Sequence, residues 1–281
     1  MRRPSLWVVA LVHAALALFT FATLYPVAWV VQMALSPSQG FASGVLPIPT
    51  EPTLANFADV VGTTEAGSWL FGRQLANSVG VSVATAATGL ALSTTAAWAM
   101  ARYPFPGRER ALSTFVLTQM FPSVVMAIPL YLLLDVLGLL DSLVGLVLVY
   151  ASTAVPFSTW TLKGFFDTVP KELVEAATLD GASRFQIFWK VVLPIARPAL
   201  AVTFLFSFMQ AWNEFVLAAT FLGDKSSFTL PVVLQRYVSD YGTEWGHFAA
   251  GAILVSLPVM GLFFALQRQF VAGLTAGGVK G

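Results

Sequence analysis

The sequence predicts an all-α, polytopic membrane protein with six transmembrane helices and a cytoplasmic loop that carries a coupling helix. The first observation is composition, because 57% of the 281 residues are hydrophobic and only 10% are charged, whereas soluble domains carry about 25% charged residues. The second is that uncharged runs of the ~20 residues needed to cross a bilayer recur along the chain. These runs are continuous and lack the short alternating pattern of barrel strands, so helices are predicted.

Six runs are assigned as spans. They cover residues 6–35, 76–101, 111–134, 142–161, 198–221 and 248–267. The first run is longer than the ~7–15-residue apolar core of a signal peptide, so it is predicted to remain as a span. Pro26 lies within it and could bend or end the helix there.

The distribution of basic residues predicts the orientation. Of the 15 Lys and Arg residues, 12 fall at the two ends of the chain or in the connections after the second and fourth spans. The other three are Arg73, Lys225 and Arg236. Because loops rich in Lys and Arg stay in the cytoplasm, both termini are expected to be cytoplasmic.

Two longer connections are predicted on the outer side. Residues 36–73 contain four prolines and five glycines and are predicted to be loop, with a short helix near Leu54–Val61. Residues 222–247 are comparably polar. Each connection could contact a soluble partner, or could simply join two spans, and the sequence leaves both alternatives open.

The cytoplasmic loop over residues 163–197 is predicted to form two short helices joined at a glycine. Pro170 suits the first turn of a helix, and Gly181 supplies the positive φ that ends it. A second amphipathic stretch follows and is predicted to stop at Pro194. Its predicted apolar face carries Phe185, Phe188, Trp189 and Val192. Such a loop can press into a groove on a soluble subunit, or it can lie at the membrane interface and seal the bundle.

A family resemblance favours the first alternative. Glu175-Ala176-Ala177, then Gly181, then Leu193-Pro194 have the spacing of the EAA coupling loop of binding-protein-dependent ABC importer permeases, which this loop resembles. Val191 stands where that family commonly has isoleucine. The resemblance implies a single permease domain over residues 1–281, in the bacterial cytoplasmic (inner) membrane.

A second resemblance points to sugar. Trp212-Asn213-Glu214-Phe215 and the tail Gly273–Gly281 are similar to carbohydrate-importer permeases of the maltose-transporter type. This implies transport of maltose, maltodextrin or similar oligosaccharides, with a different sugar as the alternative. The implied partners are a MalF-like second permease, a MalK-like dimer of ATP-binding subunits, a periplasmic or extracytoplasmic sugar-binding protein and membrane lipid; no nucleic acid is expected.

The resemblance also implies roles for individual residues. The residues expected to meet the ATP-binding subunit are Glu175, Ala176, Ala177, Gly181, Leu193 and Pro194. In the cytoplasmic tail, residues 268–281, those expected to reach the interface of the ATP-binding dimer are Gly277, Gly278, Val279, Lys280 and Gly281. A frayed chain end is the alternative for the tail.

An acidic residue inside the fifth span suggests part of the translocation path. Trp212, Asn213 and Glu214 are candidates, because an ionisable group at membrane depth faces a cavity or a partner. Hydrogen bonding between helices is an equal alternative. The maltose-type resemblance implies that most sugar contacts lie on the partner permease.

The sequence lacks the motifs that several kinds of binding and catalytic site require. The sequence has no Gly-x-x-x-x-Gly-Lys-Ser/Thr motif, so ATP and Mg²⁺ are expected on the partner subunits. It also contains no cysteine. No catalytic, cofactor-binding or metal-binding residues are predicted on this chain. An ion-coupled secondary transporter is a rival hypothesis that rests on Glu214 alone. A membrane-embedded enzyme is a second rival, which would need converging His, Asp or Lys side chains.

Overall fold

Helices form most of the chain. The structure is a computed structural model and describes residues 5–41, 44, 46–239 and 242–278. These ranges contain α1 (Leu6–Ala34), α2 (Ala55–Val61), α3 (Leu70–Arg102), α4 (Arg108–Gln119), α5 (Ser123–Val136), α6 (Leu143–Thr168), α7 (Lys171–Leu179), α8 (Arg184–Ile187), α9 (Leu193–Asn213), α10 (Val216–Phe221), α11 (Leu230–Gln235) and α12 (Trp245–Gly278). A π-helical turn, Phe188–Val192, joins α8 to α9. Antiparallel two-residue strands pair as β1 (Thr64–Glu65) with β2 (Ser68–Trp69) and as β3 (Val238–Ser239) with β4 (Gly242–Thr243).

The helices confirm the predicted membrane fold. Within the described ranges, five helical runs are long and apolar enough to span a bilayer, and there are six if the bent pair α4 and α5 counts as one broken span. Pro26 lies inside α1 and does not end it. The short helix predicted near Leu54–Val61 is α2.

The third span is not continuous, and the prediction of one helix over 111–134 is wrong. α4 ends at Gln119, α5 begins at Ser123, and the two are bent by 103°. Pro122 is the N-cap of α5. The residue before a proline is disfavoured in the helical region, and proline has no N–H to continue the ladder, so the chain turns here.

The fifth span also differs from the prediction of 198–221. Its helix starts earlier, because α8, the π-helical turn and α9 form one apolar run over Arg184–Asn213. It then stops at Asn213, and Glu214 adopts an extended conformation before α10 begins. The predicted loop over 163–197 is also shorter than expected at its start, because α6 continues to Thr168.

The last helix is longer than the predicted span of 248–267. α12 continues to Gly278, so most of the predicted tail, residues 268–281, is helical. Gly277 and Gly278 lie in this helix, whereas Val279, Lys280 and Gly281 lie outside the described residues.

The chain divides into two compact units. One comprises Met1–Gly72 and Val233–Leu257, and the other comprises Arg73–Val232 and Pro258–Gly281. The predicted single permease domain over residues 1–281 stays a prediction.

In the first unit, a buried amide anchors the connection after α1. Asn56 is 2% exposed, and its Nδ2 donates to the carbonyl oxygens of Ala34 and Ser36 at 3.0 and 2.7 Å. Gln39 Nε2 donates to Asn56 Oδ1 at 2.6 Å, and Gln39 Oε1 accepts the backbone N–H of His247 at 3.1 Å. Two side-chain amides therefore fasten this connection to the first turn of α12.

In the second unit, polar residues of α3 hold the connection after α10. Asn77 Nδ2 donates to Ser226 O at 2.8 Å, and Ser78 Oγ accepts the Leu230 N–H at 2.7 Å. Asp224 accepts the Ser226 backbone N–H at 2.8 Å, and this bond holds the pKa of the Asp224 carboxyl below its usual range. The connection is thus fixed by hydrogen bonds and is not a loose linker.

The second unit also packs α6 against α9. Ser158 and Ser207 meet with their hydroxyl oxygens 3.0 Å apart, and both residues are buried. Small residues and hydroxyl pairs allow close helix contact where lipid supplies no hydrophobic drive between helices. α6 and α9 are the elements that carry both candidate sites described next.

Candidate functional site

The helix pair after α6 forms a sharp corner at Gly181. Pro170 is the N-cap of α7, one position before the predicted first turn. Gly181 has φ +82°, as predicted from its place after the helix. Its N–H donates to Thr178 O at 3.0 Å, and the Ala182 N–H donates to Ala177 O at 3.0 Å. These two hydrogen bonds satisfy carbonyl groups at the C-terminal end of α7.

The second helix begins with a capping box. Ser183 Oγ accepts the Gln186 N–H at 3.3 Å, and Gln186 Oε1 accepts the Ser183 N–H at 2.8 Å. Sequence reasoning missed this pair, although Ser-x-x-Gln is the ordinary signature of the motif.

Pro194 does not end the helix, and the prediction that it does is wrong. Leu193 and Pro194 lie in the first turn of α9, directly after the π-helical turn Phe188–Val192. A π-turn bonds i to i+5 and widens the helix, so the proline ring meets less crowding from the preceding turn. The helix therefore runs through Pro194 into the fifth span.

A buried cluster supports the corner from within the second unit. It joins the ends of α3 and α6 to the π-helical turn and to α9, and comprises Ala97, Trp98, Leu162, Phe166, Val169, Ile187, Val192 and Ala196. Ile187 and Val192 are five residues apart and both buried, as a π-turn allows. The predicted face of Phe185, Phe188, Trp189 and Val192 is therefore wrong, since Phe185 and Trp189 are exposed.

Arg102 locks α6 to the end of α3. Its guanidinium donates to the carbonyl oxygens of Phe166, at 3.1 Å, and of Val169. It also lies 5.3 Å from the ring centroid of Trp98. A cation at the carbonyl end of a helix is favourable, so the chain just before α7 is held rigidly.

Three large apolar side chains of the helix pair and the turn that follows it are exposed. Leu179, Phe185 and Trp189 are 89%, 70% and 55% exposed, and the rings of Phe185 and Trp189 are 5.9 Å apart. Glu175 and Ala176 are also exposed, whereas Ala177 packs against the buried cluster. We call these three exposed side chains, Leu179, Phe185 and Trp189, the apolar platform.

The second candidate site lies at the break after α9. Glu214 accepts the phenol O–H of Tyr150 at 2.5 Å and the backbone N–H groups of Leu217 and Ala218 at 2.9 and 3.1 Å. The carboxylate therefore caps α10 and joins it to α6. Sequence reasoning missed Tyr150, because nothing local links residues 64 positions apart.

Trp212 and Asn213 point to different surroundings. Trp212 is 2% exposed and stacks on Phe208 with ring centroids 5.4 Å apart, so its ring faces are covered. Asn213 is exposed and its Nδ2 donates to Met209 O at 2.9 Å. The structure thus separates the three predicted path residues.

Two spaces adjoin this break. A small cavity of about 20 Å³ is lined in part by Glu214, Tyr150 and Thr85, enough for one water molecule. A wider, open cleft of about 430 Å³ is lined by Gln119, Phe157, Phe206, Met209, Gln210 and Asn213. We call the second space the α6–α9 cleft.

The sequence and the structure both match known transport proteins. The family of binding-protein-dependent transport system inner membrane components matches residues 89–275. The galactooligosaccharides transport system permease protein GanQ of Bacillus subtilis (strain 168) is 37% identical over 270 residues, which cover 96% of this chain and 94% of GanQ. The maltose/maltodextrin transport system permease protein MalG of Vibrio vulnificus (strain YJ016) is 39% identical over 289 residues, covering 96% of this chain and 95% of MalG.

A solved structure extends the likeness to the fold. A chain in the crystal structure of a bacterial ABC transporter involved in the import of the acidic polysaccharide alginate superposes with a TM-score of 0.78 at 24% identity, covering 96% of this chain and 100% of that chain. The resemblance to ABC importer permeases drawn from the sequence is confirmed. The chain therefore belongs to the family of binding-protein-dependent transport system inner membrane components and is an integral membrane permease of that family.

Proposed function

We propose that this chain is one of the two permease subunits of an ABC importer for oligosaccharides of the maltose or maltodextrin type. The support is the identity of 37–39% to permeases named for galactooligosaccharides and for maltose and maltodextrin. Those two names share a neutral oligosaccharide substrate, so the class is better supported than the sugar. Another oligosaccharide is the alternative within this proposal.

The observation that carries the proposal is the apolar platform. An amphipathic helix pair at a chain corner normally buries its apolar side, yet Leu179, Phe185 and Trp189 face outward. The helices that carry them pack on the buried cluster through Ala177, Ile187 and Phe188, and Arg102 fixes the end of α6 just before α7. A rigid apolar projection of this kind fits the groove of a second protein.

The protein that supplies this groove is proposed to be an ATP-binding subunit. Glu175 and Ala176 lie on the exposed side of α7 and would contact the groove directly. Ala177 faces inward, and with Gly181, Leu193 and Pro194 it would shape the corner without entering the groove. ATP and Mg²⁺ would be bound and hydrolysed on the partner subunits, so this chain carries no catalytic residue.

The remaining partners follow from the family. A MalF-like second permease would complete the path, a MalK-like dimer would hydrolyse ATP, and a periplasmic or extracytoplasmic binding protein would deliver the sugar. Both termini would be cytoplasmic, which places the apolar platform on the side of the ATP-binding subunits. Closure of that dimer would move the platform as a rigid body and turn the permease pair outward.

The tail is proposed to extend this contact. α12 runs on to Gly278, and helical structure past the predicted span supports an ordered projection. The final residues Gly277–Gly281 would reach the interface of the ATP-binding dimer. Their removal is expected to weaken coupling between sugar and hydrolysis, measured in the assay below.

The test is ATP hydrolysis by the reconstituted complex. The chain is assembled in liposomes with a second permease, the ATP-binding subunit and the binding protein, and hydrolysis is measured with and without maltose. Stimulation by the sugar-loaded binding protein is expected. Stimulation by another sugar alone would keep the importer and change the substrate.

Two results would contradict the proposal. Hydrolysis that ignores every solute in an assembled complex would remove the coupling role. Uptake that needs no ATP and stops when the proton gradient is collapsed would favour the ion-coupled alternative.

A further inference from the structure

The α6–α9 cleft lies where two helices of the second unit are broken. Gln119 is the last residue of α4, directly before the 103° bend, and Asn213 is the last residue of α9. Both line the cleft. Non-helical backbone at membrane depth is tolerated where it is buried in protein or lines a cavity, and discontinuous helices commonly form substrate sites in transporters.

Three side-chain amides converge on this cleft. Gln119 is fixed through its Nε2, which donates to Thr153 O at 2.9 Å, and Asn213 is fixed through its Nδ2. Among the described residues, no group donates to the carbonyl oxygen of either amide. Gln210 is exposed beside them. The cleft therefore brings three polar side chains together beside the ends of apolar helices, which a surface covered only by lipid would not favour.

Two phenylalanines form the apolar wall of the cleft. Phe157 and Phe206 are 43% and 53% exposed, and their rings meet edge to face with centroids 6.4 Å apart. Aromatic rings pack well on the C–H face of a pyranose, while amide groups bind its hydroxyls. A mainly apolar site with a few convergent polar groups is the usual form of a small-molecule site.

The chemistry of the lining favours a neutral ligand. No side chain in the lining carries a charge, and the nearby carboxylate of Glu214 is bound to Tyr150 and two backbone N–H groups. An anionic sugar or a metal ion would find no counter-charge there. The volume of about 430 Å³ falls within the range of small-molecule sites, about 300–1,000 Å³.

We propose that the α6–α9 cleft is a subsite for a pyranose unit of the transported oligosaccharide. This chain would then contact the sugar itself and would not leave recognition to its partner permease. The inference rests on the proposed function. Of the three path residues predicted from the sequence, it keeps only Asn213. The sugar-contacting residues that it adds are Gln119, Gln210, Phe157 and Phe206. The rival occupant is a helix of the second permease.

The first experiment uses the absence of cysteine from the chain. Gln210→Cys is placed in the reconstituted complex, trapped with ATP and vanadate, and alkylated in the presence of sugar-loaded or sugar-free binding protein. Sugar is expected to slow alkylation of this subunit by about three- to tenfold, because a pyranose that occupies the cleft most of the time covers the thiol. Gln267→Cys, on the exposed side of α12, is the matched control and should react equally in both conditions.

Two outcomes would overturn the subsite. Equal alkylation of Gln210→Cys with and without sugar would show that no sugar binds there. A cysteine that is unreactive in both conditions would show that lipid or the second permease covers the cleft, and that no aqueous sugar path reaches it. Sugar-stimulated hydrolysis by the same complexes reports separately on the proposed function, so failure of the subsite and failure of the importer are distinguishable.

A second variant separates contact from conformational change. Gln210→Ala removes an exposed amide to which no described group is hydrogen-bonded, so assembly should be unaffected. The ratio of uptake rates for two sugars that differ in one hydroxyl is expected to change about three- to tenfold. Gln267→Ala should leave that ratio unchanged, and an unchanged ratio in Gln210→Ala as well would refute the subsite.

Discussion

Glu214 shows how an ionisable residue at the end of an apolar helix can have a structural role. Its carboxylate accepts hydrogen bonds from three donors, the Tyr150 phenol and the backbone N–H groups of Leu217 and Ala218. An anion at a helix N-terminus is favourable, and the phenol supplies the remaining contact. The residue that supported the ion-coupled alternative is therefore engaged in ending one helix and starting the next.

Gly246 makes the sharpest prediction for a single residue. A Cβ at this position would lie 2.7 and 2.9 Å from the amide atoms of Asn56 and 2.9 Å from Gln39 Nε2. Asn56 is buried and doubly bound to backbone carbonyls, so it has little room to move. Gly246→Ala is expected to lower the free energy of unfolding by about 1–3 kcal/mol, the usual cost of overpacking.

Thermal unfolding of the purified complex measures this effect. Gly261→Ala, in the same helix, is the control, because no described atom outside the backbone of its own helix turn and its chain neighbours lies within 4 Å of its Cβ position. Alanine is favoured over glycine in helices by up to about 1 kcal/mol, so the melting temperature of the control should not fall. Equal melting temperatures for wild type and Gly246→Ala would contradict the contact.

At the scale of an element, Gly181 decides whether the apolar platform keeps its shape. Its φ of +82° lies far from the value near −65° that proline requires. Gly181→Pro is expected to abolish sugar-stimulated ATP hydrolysis while membrane insertion continues. Gly181→Asn is the matched variant, because asparagine tolerates the left-handed region.

The assay is hydrolysis by reconstituted vesicles, with the amount of inserted subunit measured in parallel. Asparagine should retain most of the stimulation, and an alanine substitution should fall between the two because it costs about 1–2 kcal/mol in this conformation. Normal stimulation by Gly181→Pro would exclude a role for the corner in coupling.

The elements also show which features a sequence can predict. Apolar runs locate the spans because hydropathy depends on composition, and the glycine corner follows from one residue type. The breaks were missed because hydropathy does not register an interrupted helix. Proline alone does not solve this, since Pro156 and Pro258 remain inside helices while Pro122 starts one.

The candidate sites divide in the same way. The segment around Gly181 was predictable because its signals are local and closely spaced. The α6–α9 cleft was not, because it joins Gln119 to Asn213 across most of the second unit. The Tyr150–Glu214 bond and the Arg102 contacts likewise depend on packing between distant segments.

At the scale of the whole molecule, the distribution of Lys and Arg predicts the orientation. The absence of cysteine allows single-cysteine variants on each side, and Glu51 and Lys171 are both exposed. In intact cells, a membrane-impermeant maleimide should label Glu51→Cys at once, and Lys171→Cys only after permeabilisation. The reverse pattern would place both termini outside.

The uninterrupted helical run Arg184–Asn213 has a mechanical consequence. Its 30 residues form a stiff lever about 45 Å long, at about 1.5 Å per residue. The apolar platform sits near one end, and Asn213 marks the other. A tilt of about 5° would carry the far tip through about 4 Å, comparable with the step of one helical turn. Because the helix ends at Asn213 and Glu214 is extended, the far end of such a tilt would lie beside the α6–α9 cleft.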